Sequence, residues 1–517
     1  MSSVHEPEKD TVTETVPAKA FDGDADVQEV SPGASYRDLE KRDSNLKTTK
    51  DGIVLIPQPT DDPDEPLNWP FWKKHAALIV LAFGSFFVKF TATILASASN
   101  ILAHQFHTTP RKATYIASSA SIVPAVAPFV WIPLSRKFGR RPVLLAGTTL
   151  AIVFSITVAT SDTYGQAVAT RVMMALSDSA AICIGPAAIS DMFFQHEKGS
   201  RMGINTFLLV CAPYIGGIAG GAVAFNTHLG WRWSMYISAI LLGLQLVCQF
   251  LFVPETIFNR KEARAAAENP KPTFAYSLGF KKPTATKNDS WLYTYLRPFA
   301  MFAYPAVFFP ALWFSIAQMT EVANTAGFAL NFGEPSRYHF NARQIGFCSF
   351  SGLIGAVCGE LVAGPVCDFV AKRHLKKGGD WKPEQILPVA ATGLVLTSAG
   401  LLLYGLELNY PTGWAATLTG IGIFTAGQEI LLTVLMTYTC DCYPDKAPEV
   451  SIVFQCCINI MAYCPPFYVP QWIAGPAGAK VPYIVFALLP IVTAPIGWLL
   501  FMWKGEKVRA KGPWFTL

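Results

Sequence analysis

Across 517 residues, 51% are hydrophobic and only 15% charged, a balance that excludes a string of soluble domains and places the chain in a lipid bilayer. The net charge of +5 hides a split, because residues 1–70 hold 16 acids and 7 bases while the rest of the chain holds 20 acids and 34 bases. Those bases sit in short clusters between apolar runs, so no nucleic-acid partner is expected, and residues 1–70 lack the charged n-region and apolar h-region of a secretory signal.

Residues 1–72 are rich in Asp, Glu, Ser, Thr and Pro. They cannot bury enough apolar surface to offset chain entropy, so they are expected to be a disordered acidic cytosolic tail. Twelve apolar stretches follow, each near the ~20 residues a helix needs to cross about 30 Å of hydrocarbon. They fall at 76–103, 113–134, 143–161, 165–190, 203–225 and 233–254, then at 299–323, 345–367, 387–407, 413–437, 449–474 and 482–503. The expectation is an all-α membrane protein with an N-terminal six-helix bundle over 73–254 and a C-terminal one over 299–503. Between them lies a polar segment, 255–298, carrying Arg260, Lys261, Arg264, Lys271, Lys281, Lys282 and Lys287, and residues 504–517 form a basic tail.

Counting Lys and Arg fixes the expected orientation. With a cytosolic N-terminus, the short inner loops hold twelve, the central segment eight and the C-terminal tail four, against six in all outer loops. That bias puts both termini in the cytosol. The sequon Asn288-Asp289-Ser290 is then intracellular and expected to stay unmodified. All eleven cysteines, Cys183 to Cys464, lie in or beside apolar runs and read as packing residues rather than disulfides. The Cys440-x-Cys442 pair has no further Cys or His at zinc spacing, so no metal is expected.

The halves echo one another, as in transporters built from repeats. A polar signature, Pro133 to Pro142, closes the second span, and Gly364-Pro365-Val366-Cys367-Asp368 closes the eighth. Asp191-Met192-Phe193 ends the fourth and Asp441-Cys442-Tyr443 the tenth; Pro213 interrupts the fifth and Pro465-Pro466 the eleventh.

Ser135 to Pro142 resembles the loop after the second helix of the major facilitator superfamily, whose pattern is G-x-L-a-D-R-x-G-R-R. Gly139, Arg140 and Arg141 match, Lys137 stands for Arg, and Arg136 replaces the acid. In the second half Asp368 occupies the acidic place. Gly permits the tight turn, and guanidinium groups can bond carboxylates at neighbouring helix ends, with Asp191, Glu197 and Glu255 as expected partners. Arg171-Val-Met-Met-Ala175 resembles the R-x-x-q-G motif, with Ala for Gly. The run Ala212 to Gly221, with Pro213, Gly216, Gly217, Gly220 and Gly221, resembles the motif associated with antiporters. Its four glycines lie close to one helical face, allowing near contact of two backbones. Asp61 to Pro70, Gly230-Trp231-Arg232-Trp233 and Val253-Pro254-Glu255-Thr256 narrow the resemblance, over about 61–503, to fungal twelve-span drug:proton antiporters. This implies the major facilitator fold and proton-driven movement of a small organic molecule.

A charge within the bilayer costs on the order of 3 kcal/mol by insertion scales, so each is a functional candidate. They are Lys89, Arg171, Asp178, Glu321, Glu360 and Glu429. All eight histidines fall in tails, loops or span ends, so proton coupling has to rest on carboxylates. Asp178, two turns from Arg171 on one face, comes first, with Glu321, Glu360 and Glu429 next. Lys89 is read as the charge partner of Asp178 across the cleft, and a permanent structural bridge between them is the alternative. Gln318, Gln428 and Asn459 with Phe207, Tyr214, Trp313 and Phe314 suit an amphipathic ligand.

The expected function is proton-coupled export of a hydrophobic or amphipathic compound such as a drug or a fungal secondary metabolite. The alternatives are import of a cationic nutrient such as a polyamine, or a transport-inactive sensor. No enzyme activity is expected, no cofactor beyond the proton gradient, and no ATP-driven step, since no nucleotide-binding loop is present. The chain is expected to work as a monomer in the plasma membrane, the vacuolar membrane being the alternative. Its partners are a small organic substrate, protons and the lipid bilayer.

Overall fold

The computed structural model describes residues 47, 59, 62, 65–226, 230–258, 299–333, 336, 338–376, 383–410, 413–443, 447–476 and 478–511. Most of the acidic tail, the central segment from 259 to 298 with its basic residues and sequon, and the last six residues lie outside them.

The first crossing is α1 (Phe71–Thr93), continued by a 3-10 turn at Ala96–Ala98 and the short α2 (Ser99–Gln105). The second is built from α3 (Pro110–Ser118), a 3-10 turn and α4 (Val123–Phe138). Thr109 starts it, accepting from the Lys112 N–H at 3.4 Å, with Pro110 at the first helical position, where it lacks only an N–H that would have no partner. The first half is completed by α5 (Arg140–Ala159), α6 (Tyr164–Met192), α7 (Gln195–Phe225) and α8 (Gly230–Phe252). The second contains α9 (Pro305–Phe332), α10 (Ala342–Lys376), α11 (Leu387–Asn409) and α12 (Trp414–Cys442). Its eleventh crossing is split into α13 (Ala447–Tyr463) and α14 (Pro465–Ile473), and α15 (Lys480–Lys511) ends the chain's described part.

Eleven helices are long and apolar enough to cross a membrane by their described residues. The 32-residue α15, with its apolar stretch Lys480–Ala494, provides the twelfth. The fold is therefore all-α, with twelve transmembrane helices in two pseudo-symmetric six-helix bundles.

Sequence and structure part at several boundaries. The packed part begins before residue 73, because Leu67 and Trp69 are only 4% and 7% exposed, and α15 continues past 503. The Gly364 to Asp368 signature does not close the eighth crossing: α10 runs through it to Lys376. A backbone in lipid has to keep its own hydrogen bonds, so Pro365 is accommodated within the helix rather than ending it. Pro213 likewise sits inside an unbroken α7, whereas the Pro465-Pro466 pair does divide its crossing.

The apolar surface is turned outward. On α8, Ile240, Leu244, Val247 and Leu251 are 55–65% exposed at spacings of four, three and four residues, one stripe facing lipid. Its other side buries Ser234, Ser238, Gln245 and Gln249. Gln245 donates to the Val80 carbonyl of α1 at 2.7 Å, and Gln249 accepts from Thr148 of α5 at 2.8 Å. Between helices in lipid such bonds average ~0.6 kcal/mol, so they fix register more than they add stability. Within the halves α1 packs on α7, α5 on α6 and α8, α11 on α12, and α9 on α13; between the halves α7 meets α10 and α4 meets α13.

Candidate functional site

The ionisable side chains singled out within the crossings fall, among the described residues, into three groups. In the N-terminal half Arg171 and Asp178 on α6 are 2% and 5% exposed. Arg171 bonds the Thr91 carbonyl of α1 and also the Ala92 carbonyl at 3.0 Å, with the Met174 and Met235 sulfurs at 3.5 and 3.7 Å. The Thr91 hydroxyl donates to Asp178 Oδ2 at 2.7 Å. One α1 residue therefore joins the cation, through its carbonyl, to the carboxylate, through its side chain. Nothing in a threonine within an apolar run distinguishes it in the sequence, and the expectation missed it.

Lys89 is not the partner of Asp178. It lies on α1, two residues before Thr91, partly buried, and the opposite charge that bears on it is Glu321 of α9 in the other half. Positions 89 and 91 of one helix point about 200° apart, so a helix that hands Thr91 to Asp178 sends Lys89 toward the other half.

Glu321 forms the second group. Its Oε1 accepts from the Tyr214 hydroxyl of α7 at 3.0 Å, a bond between the two bundles. Its Oε2 accepts from Gln318 Nε2 and, at 3.2 Å, from Gln428 Nε2 of α12, which also donates to Gln318 Oε1 at 3.0 Å. Tyr214, Gln318 and Gln428 thus all donate to Glu321. Beside it is a cavity of about 60 Å³ bordered by Thr93, Ser97, Tyr214, Glu321, Asn324 and Ser349. That is room for water and far below the ~300 Å³ of a drug-sized site.

The third group belongs to the C-terminal half. Glu360 on α10 accepts from Thr433 of α12 at 2.9 Å. Glu429 on α12 is 8% exposed, has Glu321 and Glu360 as charged neighbours, and keeps Oε2 buried without a hydrogen-bond partner.

The remaining cavity residues divide. Phe207 is partly exposed on α7. Trp313 and Phe314 belong to the apolar core of the second half, Trp313 against Phe501 at 5.5 Å and Phe314 stacked on Phe454 at 5.7 Å between ring centroids. They pack, and do not line the cavity. Asn459, 4% exposed, returns its amide to the Gln455 carbonyl of its own helix at 2.7 Å.

The glycines of α7 serve two neighbours, not one. A Cβ on Gly216 would lie 2.7 Å from the Phe90 carbonyl oxygen, and one on Gly220 would run into the Ile94 carbonyl, so this pair seats α1. A Cβ on Gly217 would lie 2.8 Å from Ser349 Oγ, and one on Gly221 would lie 2.6 Å from the Ala342 carbonyl oxygen, so this pair seats α10 across the bundle interface. Spacings of four keep each pair on its own face, and the one-residue step between pairs turns the second by about 100°. Pro213 leaves its own carbonyl accepting from Thr93 at 3.0 Å.

At the end of the molecule where α1 begins, Gly139 with φ 98° is the single residue between α4 and α5. Glu255, 2% exposed, caps α5 by accepting from the Arg140 and Arg141 N–H groups at 3.1 and 3.0 Å. It also takes the N–H groups of Thr256 and Ile257, both at 3.0 Å. A carboxylate there meets both unsatisfied N–H groups and the positive end of the helix dipole. Arg140 pairs with Asp191 at the end of α6 and donates to Thr256 Oγ1 at 3.2 Å; Arg141 donates to the Phe250 carbonyl at 2.6 Å. Glu197 lies in the first turn of α7 with Lys74 as a charged neighbour, and Lys137 is exposed at the end of α4. Asp368 lies within α10, and its side chain is outside those described.

Comparison with known proteins agrees with this architecture. The chain is 26% identical over 478 residues to the efflux pump bik6 of Gibberella fujikuroi, covering 90% of this chain and 96% of that protein. It is 25% identical over 480 residues to the MFS-type transporter atr4 of Stereocaulon alpinum, covering 90% and 85%. Among solved structures, the partially occluded inward-open xylose transporter XylE from E. coli superposes with a TM-score of 0.59 at 14% identity, covering 84% of this chain and 98% of that one. Each is named as a transporter or an efflux pump. Residues 81–464 match the model of the Major Facilitator Superfamily, and the chain belongs to that superfamily as a multi-pass membrane transporter similar to fungal efflux pumps.

Proposed function

We propose that this protein exports a small hydrophobic or amphipathic organic compound in exchange for protons, by alternating access of the two bundles to either side of the membrane. The observation that carries the reading is the set of carboxylates held at and beside the bundle interface, with Glu321 bonded across it to Tyr214. A carboxylate there gains or loses its charge as the bundles rearrange, which ties proton binding to the change of access. Similarity to efflux pumps of fungi, among them bik6, supports export over import. Asp178 is the proton-coupling residue we place first, because Thr91 links it to Arg171 within one rigid half. Glu321, Glu360 and Glu429 follow. The proton gradient is the energy source and no cofactor is required.

The end where α1 begins is cytosolic in this reading, as are both termini, and the monomer works in the plasma membrane. The opposite end is closed: Gly217 and Gly221 meet α10, and Tyr115 of α3 lies 4.9 Å from Phe467 of α14 between ring centroids. The arrangement is that of a carrier shut to the outside. The test is efflux of the dye rhodamine 6G from yeast cells stripped of their own pumps. Expression of the chain is expected to speed efflux, and a protonophore to abolish the gain; efflux that survives gradient collapse overturns proton coupling.

A further inference from the structure

The packed face of α15 does not stop where its apolar stretch ends. Trp498 and Phe501 are 5% and 7% exposed, Gly505 is buried, and Val508 packs on the core of the second half. These residues follow one another at helical spacing, so one face stays packed beyond residue 503. Beneath it past that point lies the 3-10 turn Pro383–Ile386, which leads into α11. A Cβ on Gly505 would lie 2.8 Å from Glu384 Cγ, and one turn further on Arg509 Nη1 stands 3.8 Å from Glu384 Oε1. Gly505 and Arg509 are thus two residues that α15 turns to a single carboxylate, one making room for it and the other matching its charge.

Glu384 is 9% exposed, and both of its oxygens are buried with no hydrogen bond to a described residue, so the guanidinium supplies the charge that offsets its burial. Arg509 is also a charged neighbour of Tyr438, Cys442 and Tyr443 near the end of α12. One side chain of the extension therefore stands among the start of α11, the end of α12 and α15 itself. The first half has the same plan with the charges exchanged. There the acid, Glu255, follows the last helix of the half and reaches back to the start of its third, where Arg140 goes on to the end of the fourth. In the second half the acid stands at the start of the third helix and the base follows the last.

We propose that Glu384 and Arg509 form the latch of the second half, the counterpart of Glu255 and Arg140 with the polarity reversed, and that residues 504–511 are a working part of the carrier rather than a basic tail. Tied by Arg509, the ends of α11, α12 and α15 move as one body when the carrier changes access. Untied, they no longer pass the rearrangement from one helix to the next. Arg509 is a positioning residue, which acts through the helix ends it joins. Its part in the change of access rests on the reading of the chain as an alternating-access carrier, whereas the pairing with Glu384 does not.

Two measurements on the full-length chain keep these apart. The first is hydrogen exchange of the purified carrier in detergent, read over residues 504–511. Those amides are expected to be protected in the wild type, and Arg509→Gln and Glu384→Gln are each expected to lower that protection by at least about ten-fold, the scale of a charged contact. Exchanging the charges, Glu384→Arg with Arg509→Glu, is expected to return it to within about two-fold of the wild type. The second is the rate at which Ser97→Cys reacts with an impermeant thiol reagent in intact cells, taken where more reagent no longer speeds it and opening alone sets the rate. Arg509→Gln is expected to lower that rate about ten-fold and Arg509→Lys, which keeps the charge, to lower it less. Glu384→Gln, which leaves no buried charge behind, serves for the same comparison should Arg509→Gln not fold. Unprotected amides over 504–511 in the wild type, protection unchanged by either single substitution, or a swapped pair that restores nothing would overturn the latch. An opening rate unchanged in Arg509→Gln would overturn its part in the change of access. A Ser97→Cys that never reacts even without a second substitution would tell against alternating access instead, and hydrogen exchange would still decide the pair.

Discussion

Arg140 and Glu255 show how much depends on single side chains at the end where α1 begins. Glu255 fills the N-terminus of α5 and Arg140 ties that same turn to Asp191 on α6, so three helix ends share one polar knot remote from Glu321. Removing Arg140 takes one of two cationic neighbours from Asp191, Lys198 being the other, and leaves the interior groups alone. Arg140→Ala is therefore expected to slow exchange between the two access states by about ten-fold or more, the scale of a partly buried charged contact, with binding of a transported probe nearly unchanged. Comparison of single-turnover rates with equilibrium affinities checks this, and affinity falling while turnover holds would contradict it. At this scale the sequence was legible where charge is rare. Arg171, Asp178, Glu321 and Glu429 stand out because a charge in an apolar run has to be explained, and the Gly-Arg-Arg loop and Glu255 are recognisable by pattern. The role of Thr91 and the turning of Lys89 toward the side of Glu321 were not legible, because rotational phase along α1 decides them and the sequence does not show which neighbour each phase meets. Trp313 and Phe314 failed for the converse reason, since an aromatic residue in a crossing packs or lines a cavity with the same residue type.

Among the elements, α7 carries the most distinct assignment, with two glycine pairs turned to two neighbours. Gly216 and Gly220 hold α1 inside the first half, whereas Gly217 and Gly221 touch α10 of the second half, a contact that alternating access would have to part when that end opens. Gly220→Val is accordingly expected to destabilise the first bundle by about 1–3 kcal/mol or more, as overpacking of a tight contact does. Gly217→Val is expected to leave the melting temperature nearer that of the wild type and instead disfavour the shut state. Thermal unfolding of both variants, together with the reactivity of a cysteine at Ser97 toward an impermeant thiol reagent in intact cells, separates the two. Enhanced Ser97→Cys labelling in Gly217→Val is the expected sign, and equal destabilisation by both substitutions with unchanged labelling would contradict the division. The crossings themselves were readable from hydropathy and length, and their ends less so. The eighth runs past its polar signature because a proline within a membrane helix is accommodated, and the first and second include 3-10 turns that a hydropathy window averages away.

For the whole molecule, the two halves are joined where α7 meets α10 and α4 meets α13, and by the bond from Tyr214 to Glu321. Twelve crossings and the repeat were legible in the spacing of the apolar runs and in paired Asp and Pro positions. The closed end was not, since it depends on which of several access states the chain adopts. Orientation is open to a direct check. Cysteines introduced at Lys282, in the central segment, and at Pro335, between α9 and α10, are expected to differ in intact cells, the first protected from impermeant thiol reagents and the second reactive; the reverse pattern would invert the topology. The central claim, that a proton gradient moves an organic compound through this carrier, is tested most directly in vesicles containing only the purified protein. With rhodamine 6G as the probe and a pH gradient imposed across the membrane, the wild-type carrier is expected to accumulate the dye against its concentration gradient. Asp178→Asn, which keeps shape and hydrogen bonding but cannot titrate, is expected to exchange dye passively without accumulating it. Accumulation by Asp178→Asn equal to the wild type would remove Asp178 from the coupling step, and wild-type vesicles that never concentrate the dye when the gradient is imposed would contradict the account itself.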